Sequence, residues 1–245
     1  MLGGFGQSKT TWPCGHTSPI HTCRRLSWGT SVKMDAHIFI DNYNVIAGAQ
    51  EAAKIRENAP WPAVRIHWRN FFKLVEGDYS PITRMFAGSL PPGNEALWQY
   101  AKDHGYDTSL LQRVVREDGR SGEQAVDEVL HAKIAGALLD FDAPQALVMV
   151  TGDGQAGEFG TSFLQQAERA LRRGWNIDIW SWEAQLSGNF KNLAGRNSDK
   201  MKIFLFDRFY EAITFLREGE FHHGDGNLIR ISERRVSALP VGTSR

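Results

Sequence analysis

The stretch Ala36-His37-Ile38-Phe39-Ile40-Asp41-Asn42-Tyr43-Asn44 decides the fold class. A short apolar, β-rich run stops abruptly on an acid followed by turn-forming asparagines. Runs of about five such residues between turn signals suit strands buried on both faces, as in a parallel sheet. The signature recurs at Ile82 to Ala87, closed by Gly88 and Pro91-Pro92-Gly93, and around Tyr106 to Val115. It returns at Ala146 to Val150, which ends on Thr151-Gly152-Asp153-Gly154, and at Trp175 to Trp182 after the helix stop Arg172-Arg173-Gly174. Helical patterns fall between these runs, near 46–57, 64–75, 94–103, 122–140 and 161–173. Strand–helix alternation predicts an α/β fold, a parallel sheet of order 3-2-1-4-5 sandwiched by helices, as a single domain over residues 35–217. Residues 218–245 are polar and glycine-rich without clear periodicity, and read as a tail.

Composition narrows the function classes. The chain has 245 residues, 42% hydrophobic and 23% charged, enough to bury a core without disulfide or metal staples. Lys plus Arg is 28 and Asp plus Glu is 28. Residues 1–33 hold four of the bases (Lys9, Arg24, Arg25, Lys33) and no acid, so the rest carries 24 bases against 28 acids. A slightly acidic body does not attract phosphate backbones by its net charge; a nucleic-acid site there must be a local patch or use metal ions. No apolar run approaches the roughly 18 residues of a membrane span, so no membrane partner is expected. Both cysteines, Cys14 and Cys23, lie in the leader with His16 and His21, at a spacing that matches no zinc pattern. Residues 1–34 read as a flexible leader. The expected location is the cytoplasm, or the mitochondrion if residues 1–33 are a transit peptide.

In open parallel sheets, ligands bind at the carboxyl ends of the strands, where strand order reverses. Asp41 directly follows the first strand and Asp153 the fourth, which are neighbours in the expected order. Each reads equally well as a turn or helix-cap residue; as a pair they point to one crevice. On the helix from Gly122 to Asp140, Val126, Val129, Leu130, Ile134, Ala137 and Leu138 share a face, and Asp127 falls inside that arc near the helix start. A carboxylate facing a core requires a partner or a cation. Three converging acids suit Mg²⁺ or Mn²⁺, which take oxygen ligands and keep waters.

The segments Ile38 to Asn44, Ala125-Val126-Asp127 and Val150 to Gly154 resemble, in this order, the motifs of NYN domains, members of the PIN-like superfamily of metal-dependent ribonucleases. The resemblance spans roughly 35–193. It implies a PIN-like parallel sheet with an acidic pocket at the strand ends, and an Mg²⁺- or Mn²⁺-dependent endoribonuclease acting on RNA. Asp41, Asp127 and Asp153 match the family's acidic positions and Asn44 its asparagine.

One departure matters. Family members often follow Gly-Asp-Gly with a further Asp and Phe, whereas this chain continues Gln155-Ala156-Gly157-Glu158-Phe159. Glu158 either supplies the missing carboxylate as a fourth metal ligand or is a helix-start glutamate favoured by the macrodipole. The altered spacing and the acidic body leave open a second class, a catalytically silent RNA- or protein-binding module with the same fold; a third, weaker alternative is a metal-dependent phosphatase acting on small phosphomonoesters. Arg84, Lys191 and Arg196 are candidates for phosphate contacts, although isolated bases are usually solvated. His131 sits four residues after Asp127 and reads first as a core or surface histidine. No phosphate-loop, dinucleotide or serine-hydrolase motif is present.

Overall fold

The computed structural model describes residues 33–89, 95–108, 110–111, 124–154, 161–222 and 226–240. In chain order the elements are β1 (Asp35–Asp41), α1 (Asn42–Glu57), β2 (Val64–Ile66), α2 (Trp68–Glu76), β3 (Ser80–Ser89), α3 (Glu95–Asp103), β4 (Leu110–Leu111), α4 (Gln124–Asp140) and β5 (Ala146–Val150). They continue with α5 (Phe163–Arg172), β6 (Asn176–Ser181), α6 (Gly188–Arg196), β7 (Met201–Leu205), α7 (Tyr210–Ile213), β8 (Thr214–Leu216), β9 (Gly219–His222) and β10 (Leu228–Ile231). Residues Lys33–Arg245 form one compact unit.

The fold is α/β. Six parallel strands lie in the order β4-β3-β1-β5-β6-β7. The five expected strands therefore keep the order 3-2-1-4-5, and the departure is a sixth strand, β7, added beside β6. It pairs with β6 from Ile177↔Met201 to Ser181↔Leu205. Its sequence, Met-Lys-Ile-Phe-Leu, is half-exposed on this edge, so it lacks the fully apolar signature of the central strands.

Alternation along the strands separates two cores. Ile38, Ile40, Phe86, Val148 and Trp180 point to the layer containing α1, α2 and α3, whereas Phe39, Met85, Leu147, Met149 and Ile179 point to the layer containing α4, α5 and α6. Both faces are covered, which is why β5 is buried at every residue.

Two expectations are corrected. The stretch 64–75 is not one helix, because Val64–Ile66 pairs antiparallel with β8, from Val64↔Leu216 to Ile66↔Thr214, before α2 begins. A partner about 150 residues away overrides local helical periodicity. The second is the supposed tail beyond residue 217: β9 and β10 form a hairpin, and Arg234 returns to α1. Its Nε donates to Glu57 Oε1 at 2.7 Å and its Nη atoms donate to Thr214 O and Oγ1 at 2.9 and 2.8 Å. The guanidinium also lies 4.8 Å from the Tyr210 ring centroid, and Tyr210 donates its hydroxyl to Glu57. Burial first, then the Glu57 hydrogen bond, push the Tyr210 pKa up to about 12. Among the described residues, no helix is long and apolar enough to cross a membrane.

Two stability predictions follow from this packing. Arg234→Met strips Glu57 and Thr214 of a charged donor and should cost about 2 kcal/mol in urea unfolding. His37 is fully buried, hydrogen-bonded to Thr83 Oγ1 at 2.9 Å and packed on Phe141 and Trp175. Burial holds its pKa below the ordinary 6.5, against smaller opposing effects of Gln145 and Asp35. As pH falls through 6.5 the unfolded chain therefore takes up this proton first. Stability is full above that pH and declines below it. His37→Phe should flatten this acid limb in denaturation midpoints measured between pH 7 and 5.

Candidate active site

Strand order reverses between β1 and β5, and the crevice at their carboxyl ends is where such sheets bind ligands. Asp41 is the last residue of β1, in register with Ala87 of β3. It is also the N-cap of α1: its backbone is extended, and Oδ1 accepts from the amides of Tyr43 at 2.9 Å and Asn44 at 3.4 Å. The helix thus starts at Asn42, several residues before the apolar periodicity signals it, because the cap sits inside the strand's last position. Asp41 is only 4% exposed. Asn44 donates its Nδ2 to Asp41 Oδ2 and accepts from the Gly152 amide at 3.2 Å. One amide side chain thereby ties the β1 turn to the β5 turn.

The β5 turn is held from the other side. A Cβ on Gly152 would lie 2.5 Å from the backbone oxygen of Gln185, and one on Gly154 would lie 2.8 Å from Ser187 Cβ. Only glycine permits this approach of the turn to the segment leading into α6. Ser187 N donates to Gly152 O at 3.1 Å and Asn189 Nδ2 to Gly154 O at 2.9 Å. Asp153, between the two glycines, is exposed, and its amide bonds Thr151 Oγ1 at 3.2 Å.

Asp41, Asn44, Asp127 and Asp153 line one cleft, together with Tyr43, Gly88 and Val126. Asp127 reaches it from the first turn of α4, half-buried beside the core residues Val126 and Leu130. Tyr43, inside the Asp-Asn-Tyr-Asn motif, is 57% exposed at the cleft, a large ring left in water. His131, one turn beyond Asp127, is buried with neither ring nitrogen hydrogen-bonded among the described residues, and packs edge-on against Phe163. Burial lowers its pKa, while the charges of Asp153 and Glu128 act in the opposite direction.

Other candidates fall elsewhere. Arg84 Nε donates to Glu76 Oε1 at 3.0 Å, beside Tyr106, and does not line the cleft; mid-strand on β3, its partner is an internal carboxylate. Lys191 and Arg196 are exposed on α6, where Arg196 Nε donates to Asn192 O, and neither lines the cleft. Lys133, on α4, is exposed and lies 4.0 Å from Asp107. Gln155 and Glu158 lie outside the described residues.

Among the described residues, no group of three or more His, Cys, Asp or Glu side chains is drawn together closely enough to hold one ion directly. Asp41 turns its oxygens toward its own helix start. The donor set of the cleft is nonetheless all oxygen, three carboxylates and an amide, which fits a hydrated Mg²⁺ or Mn²⁺ bound by one or two carboxylates and waters.

The two carboxylates that flank the switch point should differ in stability. Asp41→Ala removes a cap and should cost about 1 kcal/mol, more than the exposed Asp153→Ala, both read by urea denaturation without metal.

No family model matches the chain, and no curated protein matches it. Among solved structures the chain is similar to a protein of unknown function from Vibrio parahaemolyticus, with a TM-score of 0.50 and 14% identity, over 73% of this chain and 97% of that one. At that identity the similarity is one of fold.

Proposed function

We infer that the protein is an Mg²⁺- or Mn²⁺-dependent endoribonuclease. The observation that carries this reading is the convergence of Asp41, Asp127, Asp153 and Asn44 on one cleft at the sheet's switch point. The resemblance of the three motifs to NYN domains supports it. Asp41, Asp127 and Asp153 would hold the cation, which when bound makes a nucleophilic water available at neutral pH and offsets charge on the scissile phosphate. Asn44 is a positioning residue: by bonding Asp41 and the Gly152 amide it keeps two carboxylate-bearing turns in fixed relation. The cap bonds to Tyr43 and Asn44 hold the Asp41 carboxylate in one orientation. Lys191 and Arg196, exposed on the helix whose first turn packs against the β5 turn, remain candidates for phosphate contacts outside the cleft. The reading places the protein in the cytoplasm, or in the mitochondrion if residues 1–33 direct it there.

A second reading is a non-catalytic RNA- or protein-binding module, favoured by the outward Asp153 and the absence of a ready three-carboxylate group among the described residues. The two separate on one experiment with the purified full chain. Single-stranded RNA should be cut internally in Mn²⁺ and spared in EDTA. Asp41→Asn, Asp127→Asn and Asp153→Asn should each slow cleavage more than about 10²-fold, about 2.7 kcal/mol of barrier. RNA bound without turnover would support the module, and turnover of a phosphomonoester with RNA intact would support a phosphatase.

A further inference from the structure

Helix α1 leaves the acidic cleft at Tyr43 and carries the same face on to Ile46 and Gln50, because residues three and seven apart on a helix lie one above another. Ile46 and Gln50 line a second pocket of about 270 Å³, whose other walls include Trp61, Trp68, Leu97 and Arg65. This volume lies near the lower end of ligand pockets, which start at roughly 300 Å³. From Tyr43 to Gln50 the helix rises about 10 Å. The two pockets are therefore neighbours on one surface, within reach of a nucleotide or two of extended strand.

The lining is chemically distinctive. Trp61 is 65% exposed, although a free indole face is costly in water. Trp68 is half-buried and held by edge contacts to Phe71 and Phe86, at centroid distances of 5.4 and 5.3 Å. Arg65 Nη1 donates to Pro62 O at 2.8 Å and Val64 O at 2.7 Å, and among the described residues no carboxylate forms an ion pair with it. Arg217 adds a like charge close by. Burial first, then this neighbour, pull the Arg65 pKa down. The Arg65 guanidinium in the lining disfavours cationic ligands and favours anionic ones. An aromatic ring joined to a phosphate satisfies both features, and a nucleotide is that combination.

We propose that the Trp61–Trp68 pocket is a base subsite for single-stranded RNA, in which an unstacked nucleobase next to the cleavage position lies on the indoles and Arg65 meets the adjoining phosphate. The assignment of the strand as RNA rests on the ribonuclease reading of the neighbouring cleft. Bases inside a duplex have both faces covered, so the subsite selects single strands.

The test measures binding separately from cleavage. Fluorescence anisotropy follows a labelled single-stranded oligoribonucleotide, and the same strand annealed to its complement, on the full chain in EDTA. The single strand should bind about 10-fold more tightly than the duplex or better. Trp61→Ala should weaken single-strand binding about 10-fold and Trp61→Phe should recover most of it, since base stacking needs an aromatic face. Arg65→Gln should lower the slope of log affinity against log salt by about 0.7. Trp61 is exposed, so its variants should melt with the wild type. The subsite is refuted if Trp61→Ala binds like wild type, if duplex binds as tightly, or if neither RNA binds. If the aspartate variants lose cleavage while Trp61→Ala binds normally, the nuclease reading stands and the subsite falls. If nothing is cut in Mn²⁺ yet Trp61→Ala still weakens binding, the subsite stands and the nuclease reading falls.

Discussion

Asp41 answers two demands that a central parallel strand places on the chain. β1 is buried on both faces, and the chain passes from it into α1 without a connecting loop. The first amides of that helix have no partners within the helix, and the Asp41 side chain supplies the acceptor for two of them. A residue that must cap from the last strand position is thereby held at the floor of the crevice. Asn44 extends the constraint across the switch point to Gly152. The relation of the β1 and β5 turns is thus set by one side-chain amide, which bonds the Asp41 carboxylate on one side and the Gly152 backbone on the other.

The far wall depends on close approach rather than on charge. Gly152 and Gly154 let the β5 turn press against Gln185 and Ser187, and the start of α6 then braces it through Asn189. Side chains on those glycines would displace the turn that carries Asp153. The exposure of Asp153 and the burial of Asp41 express the same division of labour: one carboxylate is built into the scaffold and the other is presented by it.

Acidic and aromatic chemistry share α1. Its first turn opens on three carboxylates, whereas its middle borders indoles and a guanidinium. A near-zero net charge conceals this separation. Three carboxylates line the cleft, and Arg65 lines the second pocket, where β2 meets the segment after β8. The β2–β8 pairing creates that second surface, and the Arg234–Glu57–Tyr210 cluster fastens the C-terminal residues to the same side of α1.

The central strands, their order and the arrival of Asp41 and Asp153 at one crevice were legible in the amino-acid sequence, because a strand buried on both faces must be continuously apolar and must end where its polar turn begins. Asp127 was legible for a related reason: a carboxylate inside an apolar helical arc breaks the pattern. Other features depend on partners remote in the chain. Val64–Ile66 is a strand only because Thr214–Leu216 comes to pair with it, and β7 is a strand because β6 offers it an edge. Arg84 looked like a free base until Glu76 and Tyr106 were placed beside it. Only the folded chain leaves the Trp61 indole exposed and the Arg65 guanidinium without a carboxylate ion-pair partner among the described residues. Local pattern determines which residues are buried and where turns fall; only tertiary packing decides which distant groups meet, because those contacts carry no periodic trace along the chain.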